Sequence, residues 1–167
     1  LDAVGRAYEE KKAFLPQLLM SADAAKAAFE VIKSSLHGQE ASKPKKSKII
    51  LATVQGDIHD IGKNIVGTIL SNYGYQVIDL GRDVAPETIL EAVVTENASI
   101  VGLSALMTTT VKSMEETVRL LHEKVPFVKI MVGGAVLTQD YAQEIGADGY
   151  AKDAMAAVRL ADAWQNR

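Results

Sequence analysis

Residues 48–64 have the sequence KIILATVQGDIHDIGKN, and this stretch sets the pattern for most of the chain. An apolar run, 48–54, stops before Gly56, and a helical pattern follows. Asp57 and His59 lie between the two, on the loop that leaves the carboxyl end of a predicted strand. Open parallel sheets bind their ligands at this end. The stretch therefore predicts both an α/β sheet and a functional loop.

Apolar runs and helical patterns alternate from residue 48 onward. The predicted strands are 48–54, 75–80, 99–104, 128–132 and 148–151, and the predicted helices lie near 61–73, 86–96, 110–124, 138–145 and 153–165. The runs are short and continuously apolar, which is typical of strands buried on both faces. Five such units predict an α/β fold: a flavodoxin-like (Rossmann-like), doubly wound, five-stranded parallel sheet of strand order 2-1-3-4-5. This order brings loops 55–60 and 104–109 together across one crevice.

The first 36 residues differ from the rest in composition and pattern. They lack glycine after Gly5, and their apolar residues have helical spacing throughout. Pro16 fits the first turn of a second helix, where its missing N–H matters little. Residues 37–47 are polar without an apolar period, which predicts a linker with solvated lysines. We therefore divide the chain into a helical segment, 1–36, a linker, 37–47, and an α/β domain, 48–167. The chain opens on Leu1, already inside a helical pattern, so we expect a fragment of a longer protein.

Composition excludes several classes of function. The chain has 167 residues, 48% of them apolar, and a net charge of −3. A near-neutral chain has no basic footprint for nucleic acid or an anionic membrane surface. The absence of cysteine excludes disulfides and thiolate metal sites. Because neither a signal peptide nor a membrane-spanning stretch is evident, we expect a soluble, cytoplasmic protein with no nucleic-acid or membrane partner.

His59 is the strongest candidate for chemistry. A lone histidine is more often structural, but here Asp57 lies two residues away and small residues, Gly56 and Gly62, stand on either side. A carboxylate that accepts from one ring nitrogen makes the other nitrogen a better metal ligand. One histidine with Asp57 and Asp60 is too sparse for a zinc site built from protein ligands alone. A metal carried by its own macrocycle needs a single protein ligand, which favours a tetrapyrrole-type cofactor.

Two further segments end predicted strands at the same edge of the sheet. Ser104 begins the sequence SALMTTT, and Gly133 and Gly134 end the fourth strand. Ser104 could be an ordinary helix cap, or it could bond to Asp57 or to a buried ligand group. The glycines could form a tight turn, or they could let the backbone approach a flat ligand.

Together these residues resemble a known family. The pattern Asp57-x-His59-x-x-Gly62, Ser104-x-Leu106 and Gly133-Gly134 is similar to that of cobalamin-binding domains, and the resemblance covers residues 48–166. In the base-off, His-on mode of these domains, a protein histidine replaces the nucleotide base as the lower ligand of cobalt. Upstream, 4–8 and 14–22 resemble the helical cap of methionine synthase and related corrinoid methyltransferase proteins. B12-dependent mutases share the histidine loop but lack this cap.

The resemblance implies a role for each residue. His59 would be the axial cobalt ligand, with Asp57 and Ser104 as a relay behind the imidazole. The implied cofactor contacts in the domain are Gly56, Ile58, Asp60, Gly62, Ser104, Leu106, Thr108, Gly133, Gly134 and Ala154. Tyr8 and Leu15 match cap positions that cover the upper face of the cofactor, although Leu15 also suits a helical core. The family's cap is a four-helix bundle, and residues 1–36 match its last two helices, so we expect exposed apolar surface there.

The function implied is that of a methyl-carrier module most like methionine synthase, which moves a methyl group from methyltetrahydrofolate to homocysteine. The cofactor would alternate between methylcobalamin and cob(I)alamin. The partners would be substrate-binding methyltransferase domains or subunits and a reductive reactivation partner, so the module should not turn over alone. The main alternative is a free-standing corrinoid protein of a methanol, methylamine or aryl-ether methyltransferase. A B12-dependent regulator, a mutase cofactor domain and a flavodoxin-like domain with another ligand are further alternatives.

Overall fold

A computed structural model of the protein describes residues 2–35 and 46–165. The chain divides into two compact units, Leu1–Lys45 and Lys46–Arg167. Most of the predicted linker, 37–45, lies outside the described residues. No helix within the described ranges combines the length and the apolar character that crossing a membrane requires.

The first unit consists of two packed helices. Helix α1 spans Asp2–Glu9 and helix α2 spans Leu15–Ser35. Pro16 is the second residue of α2, where a helix has no backbone acceptor for an N–H. Leu18 is fully buried. Two helices bury only one stripe each, and large apolar side chains are exposed in this unit: Phe14, Met20 and Val31.

The second unit is a five-stranded, entirely parallel sheet of order β2-β1-β3-β4-β5, which confirms the predicted fold class. The strands are β1 (Lys48–Thr53), β2 (Gln76–Asp79), β3 (Ile100–Ser104), β4 (Lys129–Gly133) and β5 (Gly149–Tyr150). The helices are α3 (Ile61–Asn72), α4 (Pro86–Glu96), α5 (Val111–Lys124), α6 (Gln139–Glu144) and α7 (Ala154–Gln165), and a 3₁₀ turn, Thr108–Thr110, precedes α5. The predicted ranges differ from the observed elements by at most one residue at either end, where hydrogen-bonded pairing rather than apolar character sets the limit.

Helices cover both faces of the sheet, which explains the continuously apolar strands. On one face, alternate residues of β1 and β3, such as Ile50 and Val101, pack into a core with α4 and α5. On the other face, Leu51 lies in register with Gly102, and a Cβ at Gly102 would come within 2.6 Å of the Leu51 side chain. Helices α3 and α7 pack together and contact strands of the sheet. The small residue in β3 thus makes room for a large one in β1.

The carboxyl ends of the central strands lie level with one another. Thr53, the last residue of β1, pairs with Ser104 of β3, and Ser104 pairs with Gly133 of β4. The loops that follow these strands therefore begin side by side, at the edge where the sequence places the candidate site.

Candidate functional site

The loop after β1 turns sharply before it reaches His59. Asp57 N donates to the Val54 carbonyl at 3.1 Å, and Gly56 between them has φ +86°. Glycine adopts this left-handed backbone without steric penalty. The turn sends the side chain of Asp57 inward, where it is fully buried, and leaves 46% of the His59 side chain exposed.

The carboxylate of Asp57 is surrounded by hydrogen-bond donors. Its Oδ1 accepts from the His59 backbone N–H at 3.0 Å and lies 2.8 Å from His59 Nδ1. Its Oδ2 accepts from the backbone N–H groups of Leu106 and Met107, at 2.7 and 3.2 Å, and from Thr110 Oγ1 at 2.9 Å. One side chain therefore joins the loop after β1 to the loop after β3. This confirms that the two loops face each other across one crevice.

These contacts determine the charge of the pair. Burial raises the pKa of Asp57, but the hydrogen bonds from His59, Leu106 and Thr110 outweigh it and hold that pKa well below the usual carboxyl range. Asp57 is therefore ionised at neutral pH, and an ionised carboxylate only accepts. In the neutral imidazole, His59 Nδ1 then carries the proton and Nε2 keeps its lone pair. The site therefore presents one partly exposed ring nitrogen with a free lone pair, and its role as a metal ligand stays a prediction.

The surface around His59 is apolar and open. Ile58 and Ile61 are 60% and 78% exposed, and Leu106, whose backbone bonds to Asp57, is 40% exposed. A Cβ added to Gly62 would meet no atom within 4 Å. Among the described residues, no three His, Asp or Glu side chains gather to hold a metal ion. A single nitrogen ligand on an open apolar surface suits a metal that arrives inside a flat macrocycle.

Gly133 and Gly134 are required by the protein's own backbone. A Cβ at Gly134, whose φ is +140°, would lie 1.8 Å from the carbonyl oxygen of Ala105. A Cβ at Gly133 would lie 2.9 Å from the carbonyl oxygen of Ala151. The glycines thus bring the loop after β4 against the loops after β3 and β5. Their contact with a ligand stays a prediction.

The predicted bond from Ser104 to Asp57 is wrong. Ser104 is the last residue of β3, its carbonyl accepts from Val54 N at 3.1 Å, and its hydroxyl is not among the donors to Asp57. The hydroxyl that reaches Asp57 belongs to Thr110, which is buried at the start of α5. Sequence reasoning overlooked it among three consecutive threonines. The signal was its place one residue before the amphipathic pattern of α5.

The structure gives the positions of the other residues that are predicted to contact the cofactor. Their contact with the cofactor stays a prediction. Ala154 is buried at the start of α7, where Asp153 caps the helix by accepting from Ala156 N at 2.8 Å. Thr108 is exposed, and Asp60 is half-buried just before α3. Thr53 Oγ1, beside Ser104 in the sheet, is buried with no hydrogen-bond partner in the described structure. Tyr8 and Leu15 are half-buried in the first unit.

Comparison with known proteins decides the family. A sequence model of the B12 binding domain matches residues 47–159, and a second model of the same description matches residues 1–33. The chain belongs to the B12-binding domain family. Cobalamin is its cofactor, and the fold is that of cobalamin-binding proteins.

The relatives of this B12-binding domain include both curated proteins and solved structures. Dimethylamine corrinoid protein 2 of Methanosarcina mazei is 44% identical over 163 residues, which are 96% of this chain and 76% of that protein. A cobalamin-binding protein from Desulfitobacterium hafniense has a TM-score of 0.83 at 35% identity, covering 96% and 76% of the two chains. The methanol:cobalamin methyltransferase complex of Methanosarcina barkeri has a TM-score of 0.76 at 37% identity, covering 95% and 60%.

Replacing Asp57 with Asn should lower the free energy of unfolding of the apoprotein at pH 7 by about 1.5–3 kcal/mol, because charge-assisted hydrogen bonds are lost. The folded pKa of Asp57 lies below the unfolded value of about 3.9, so its stabilisation is complete above that pH and declines below it. The gap between wild type and variant should therefore narrow below about pH 4. Urea unfolding from pH 3 to 7 measures the gap. Asp60→Asn is the matched control, because the Asp60 side chain makes no capping hydrogen bond to α3 and its loss should change stability little.

Matched variants can distinguish the contributions of Thr110 and Ser104 to the stability of the apoprotein. Thr110→Val removes the hydroxyl that donates to Asp57 and keeps the shape of the side chain, so we expect a loss of about 1–3 kcal/mol in apoprotein stability. Ser104→Ala removes a half-buried hydroxyl that does not reach Asp57, so its loss should be smaller. Urea unfolding at pH 7 gives both values, and a larger loss for Ser104→Ala would contradict the assignment.

Substitutions of Gly62 can test cofactor binding without disturbing the folding of the protein. It lies in the first turn of α3 with open space beside it, so Gly62→Ala should leave apoprotein stability unchanged or raise it by up to about 1 kcal/mol. If the open space receives the cofactor, Gly62→Leu should weaken cobalamin binding at least about tenfold while the protein stays folded. Spectrophotometric titration with cobalamin measures the affinity. Undiminished binding by Gly62→Leu would place the cofactor away from this helix.

Proposed function

We propose that this chain is the cobalamin-carrying module of a methyltransferase system in which a separate protein handles the substrate, of the kind that uses methylamines or methanol. The observation that carries the proposal is the half-exposed His59, held through Nδ1 by a buried, ionised Asp57 on an open apolar surface. The names of the relatives, a dimethylamine corrinoid protein and a methanol:cobalamin methyltransferase complex, support it. They favour the free-standing corrinoid alternative over methionine synthase, for which the reported relatives give no support.

The residues at the site fit cobalamin in its base-off form. When bound, cobalamin supplies a cobalt atom that accepts a methyl group from one molecule and gives it to another. His59 Nε2 would hold the cobalt, and Asp57 fixes the tautomer that makes Nε2 available. Leu106, Met107 and Thr110 hold Asp57 in turn. Ile58, Ile61 and Leu106 provide the apolar surface on which the macrocycle rests.

The same geometry suits a ligand whose hold on the metal changes during the reaction. His59 is half-exposed, and its Nδ1 lies 2.8 Å from the ionised carboxylate of Asp57. Asp57 would therefore keep the ring oriented whether or not the cofactor is held at Nε2.

The site is compatible with a separate partner that binds the substrate. It consists of one candidate metal ligand, its carboxylate and apolar side chains, and among the described residues no three His, Asp or Glu side chains could hold a metal ion. In this proposal a methyltransferase protein binds the methyl donor or acceptor, and a reductive partner restores oxidised cofactor. The choice between methylamine and methanol is made by the partner.

His59→Ala should remove axial ligation and lower the rate of methyl transfer to the cofactor at least about tenfold, within the range seen when metal-site partners are changed. Absorption spectra of the protein with methylcobalamin report the ligation state, and methylation of the protein-bound cobalamin by an added methyltransferase and its methyl donor reports the rate. His122→Ala is the control, because His122 lies on α5 and bonds to the Gly146 carbonyl at 3.0 Å.

The class of partner is tested by offering each in turn. Purified methylamine and methanol methyltransferases should methylate the loaded protein, and one of them should do so faster than the other. Homocysteine and methyltetrahydrofolate, each with its methionine synthase domain, should be poor partners. Efficient transfer only with the latter pair would overturn the proposal in favour of methionine synthase. A spectrum identical in wild type and His59→Ala would overturn the role of His59.

A further inference from the structure

The segment between β2 and α4 contacts the loop after β1, residues 55–60, which we call the histidine loop. The side chain that makes this contact belongs to Asp83. Asp83 Oδ1 accepts from the backbone N–H of Gly56 at 2.7 Å, and the backbone N–H of Asp83 donates to the carbonyl of Asp57 at 3.0 Å. These two bonds lie on either side of the Cα atom of Asp57. Asp83 therefore clasps the main chain of the residue whose side chain orients His59.

Asp83 is itself fixed to the sheet. The next residue, Val84, donates to the carbonyl of Thr53 at 3.1 Å and forms an isolated parallel bridge with Val54. Asp83 has φ +55°, in the left-handed region that aspartate and asparagine adopt more readily than most residues. The carboxylate is thus presented to Gly56 from a segment that pairs with the end of β1 rather than from a free loop.

The histidine loop needs such an anchor because packing does little to hold it. Ile58 and His59 are exposed, and Gly56 at the start of the loop has the conformational freedom of glycine. The side chain of Asp57 is held from the β3 side by Leu106, Met107 and Thr110. Its main chain is held from the β2 side by Asp83. With one of these two supports removed, Asp57 can rotate, and the direction of the His59 ring changes with it.

We propose that Asp83 is a positioning residue that aims His59 at the cobalt atom by clasping the backbone around Asp57. The inference rests on the proposed role of His59 as the axial ligand. It adds a requirement from the β2 side of the site, which the histidine motif itself does not contain.

Two substitutions separate the hydrogen bond from the backbone conformation. Asp83→Asn keeps an acceptor for Gly56 N and tolerates the left-handed φ. Asp83→Gly also tolerates this φ but has no acceptor, and Asp83→Ala serves as a second variant without an acceptor. Asn97→Gly is the control, because Asn97 also has a positive φ, +51°, and ends α4 away from the loop. Urea unfolding verifies that each variant is folded.

The first measurement uses the apoprotein. Hydrogen exchange of the Gly56 amide, followed by NMR, should be about fivefold faster or more in Asp83→Gly than in wild type, which corresponds to the loss of one hydrogen bond. Asp83→Asn and Asn97→Gly should exchange at this amide as wild type does. Unchanged protection in both Asp83→Gly and Asp83→Ala would overturn the clasp.

The second measurement reads the axial ligand directly. Uniformly ¹⁵N-labelled protein is loaded with unlabelled cob(II)alamin, and its electron paramagnetic resonance is recorded. A ¹⁵N histidine ligand splits the cobalt lines into doublets, whereas the cofactor's own ¹⁴N base gives triplets. We expect doublets in wild type, Asp83→Asn and Asn97→Gly, and a doublet fraction at least about threefold smaller in Asp83→Gly.

The outcomes distinguish this inference from the function on which it rests. Doublets in wild type that disappear in His59→Ala support the axial role of His59, and undiminished doublets in Asp83→Gly would then overturn the positioning role alone. Wild-type protein that binds cob(II)alamin without doublets would overturn the axial role, and the positioning role with it. Loss of doublets in Asp83→Asn as well as in Asp83→Gly would also overturn the proposal, since the acceptor is retained in the former.

Discussion

The buried carboxylate of Asp57 is the interaction on which the site depends. Removing a charge from water is unfavourable unless hydrogen bonds replace the water. Here backbone donors, a threonine hydroxyl and an imidazole replace it, and they hold the pKa of Asp57 low enough to keep it ionised. Because the donors come from the loops after β1 and β3, satisfying the charge also fixes the two loops against each other. The tautomer of His59 follows from the same charge.

The sheet makes this arrangement possible because the ends of three neighbouring strands are in register, so that the loops after them begin side by side. Thr53, Ser104 and Gly133 are in register, so the loops after β1, β3 and β4 start together. Gly134 lets the third loop lie against the carbonyl of Ala105, which no residue with a Cβ could do without displacing the backbone. On the opposite side, the buried Lys63 bonds to Asp79 at the end of β2 and anchors the start of α3. Hydrogen bonds and close backbone contacts thus hold the segments on both sides of the half-exposed His59.

The small number of protein groups at this site matters for its function. A cofactor that carries its own metal requires one nitrogen ligand, a controlled charge behind it and an apolar surface, and the α/β unit provides these. Its relatives bear names that refer to different methyl sources, dimethylamine in one and methanol in another. The proposed module would therefore depend on its partner for the choice of substrate.

The sequence by itself determined the parallel sheet, its strand order and the pairing of Asp57 with His59. Continuous apolar runs report burial on both faces, and two residues in one short loop are neighbours in any fold. The sequence did not determine which hydroxyl supports Asp57. Ser104 ends β3 and Thr110 lies beyond it, and only the path of the loop and the 3₁₀ turn decides which one reaches the carboxylate. Asp83 is 26 positions from Asp57 in the numbering, and no local pattern links them. Contacts between loops depend on the backbone path of both, so only the tertiary structure decided them.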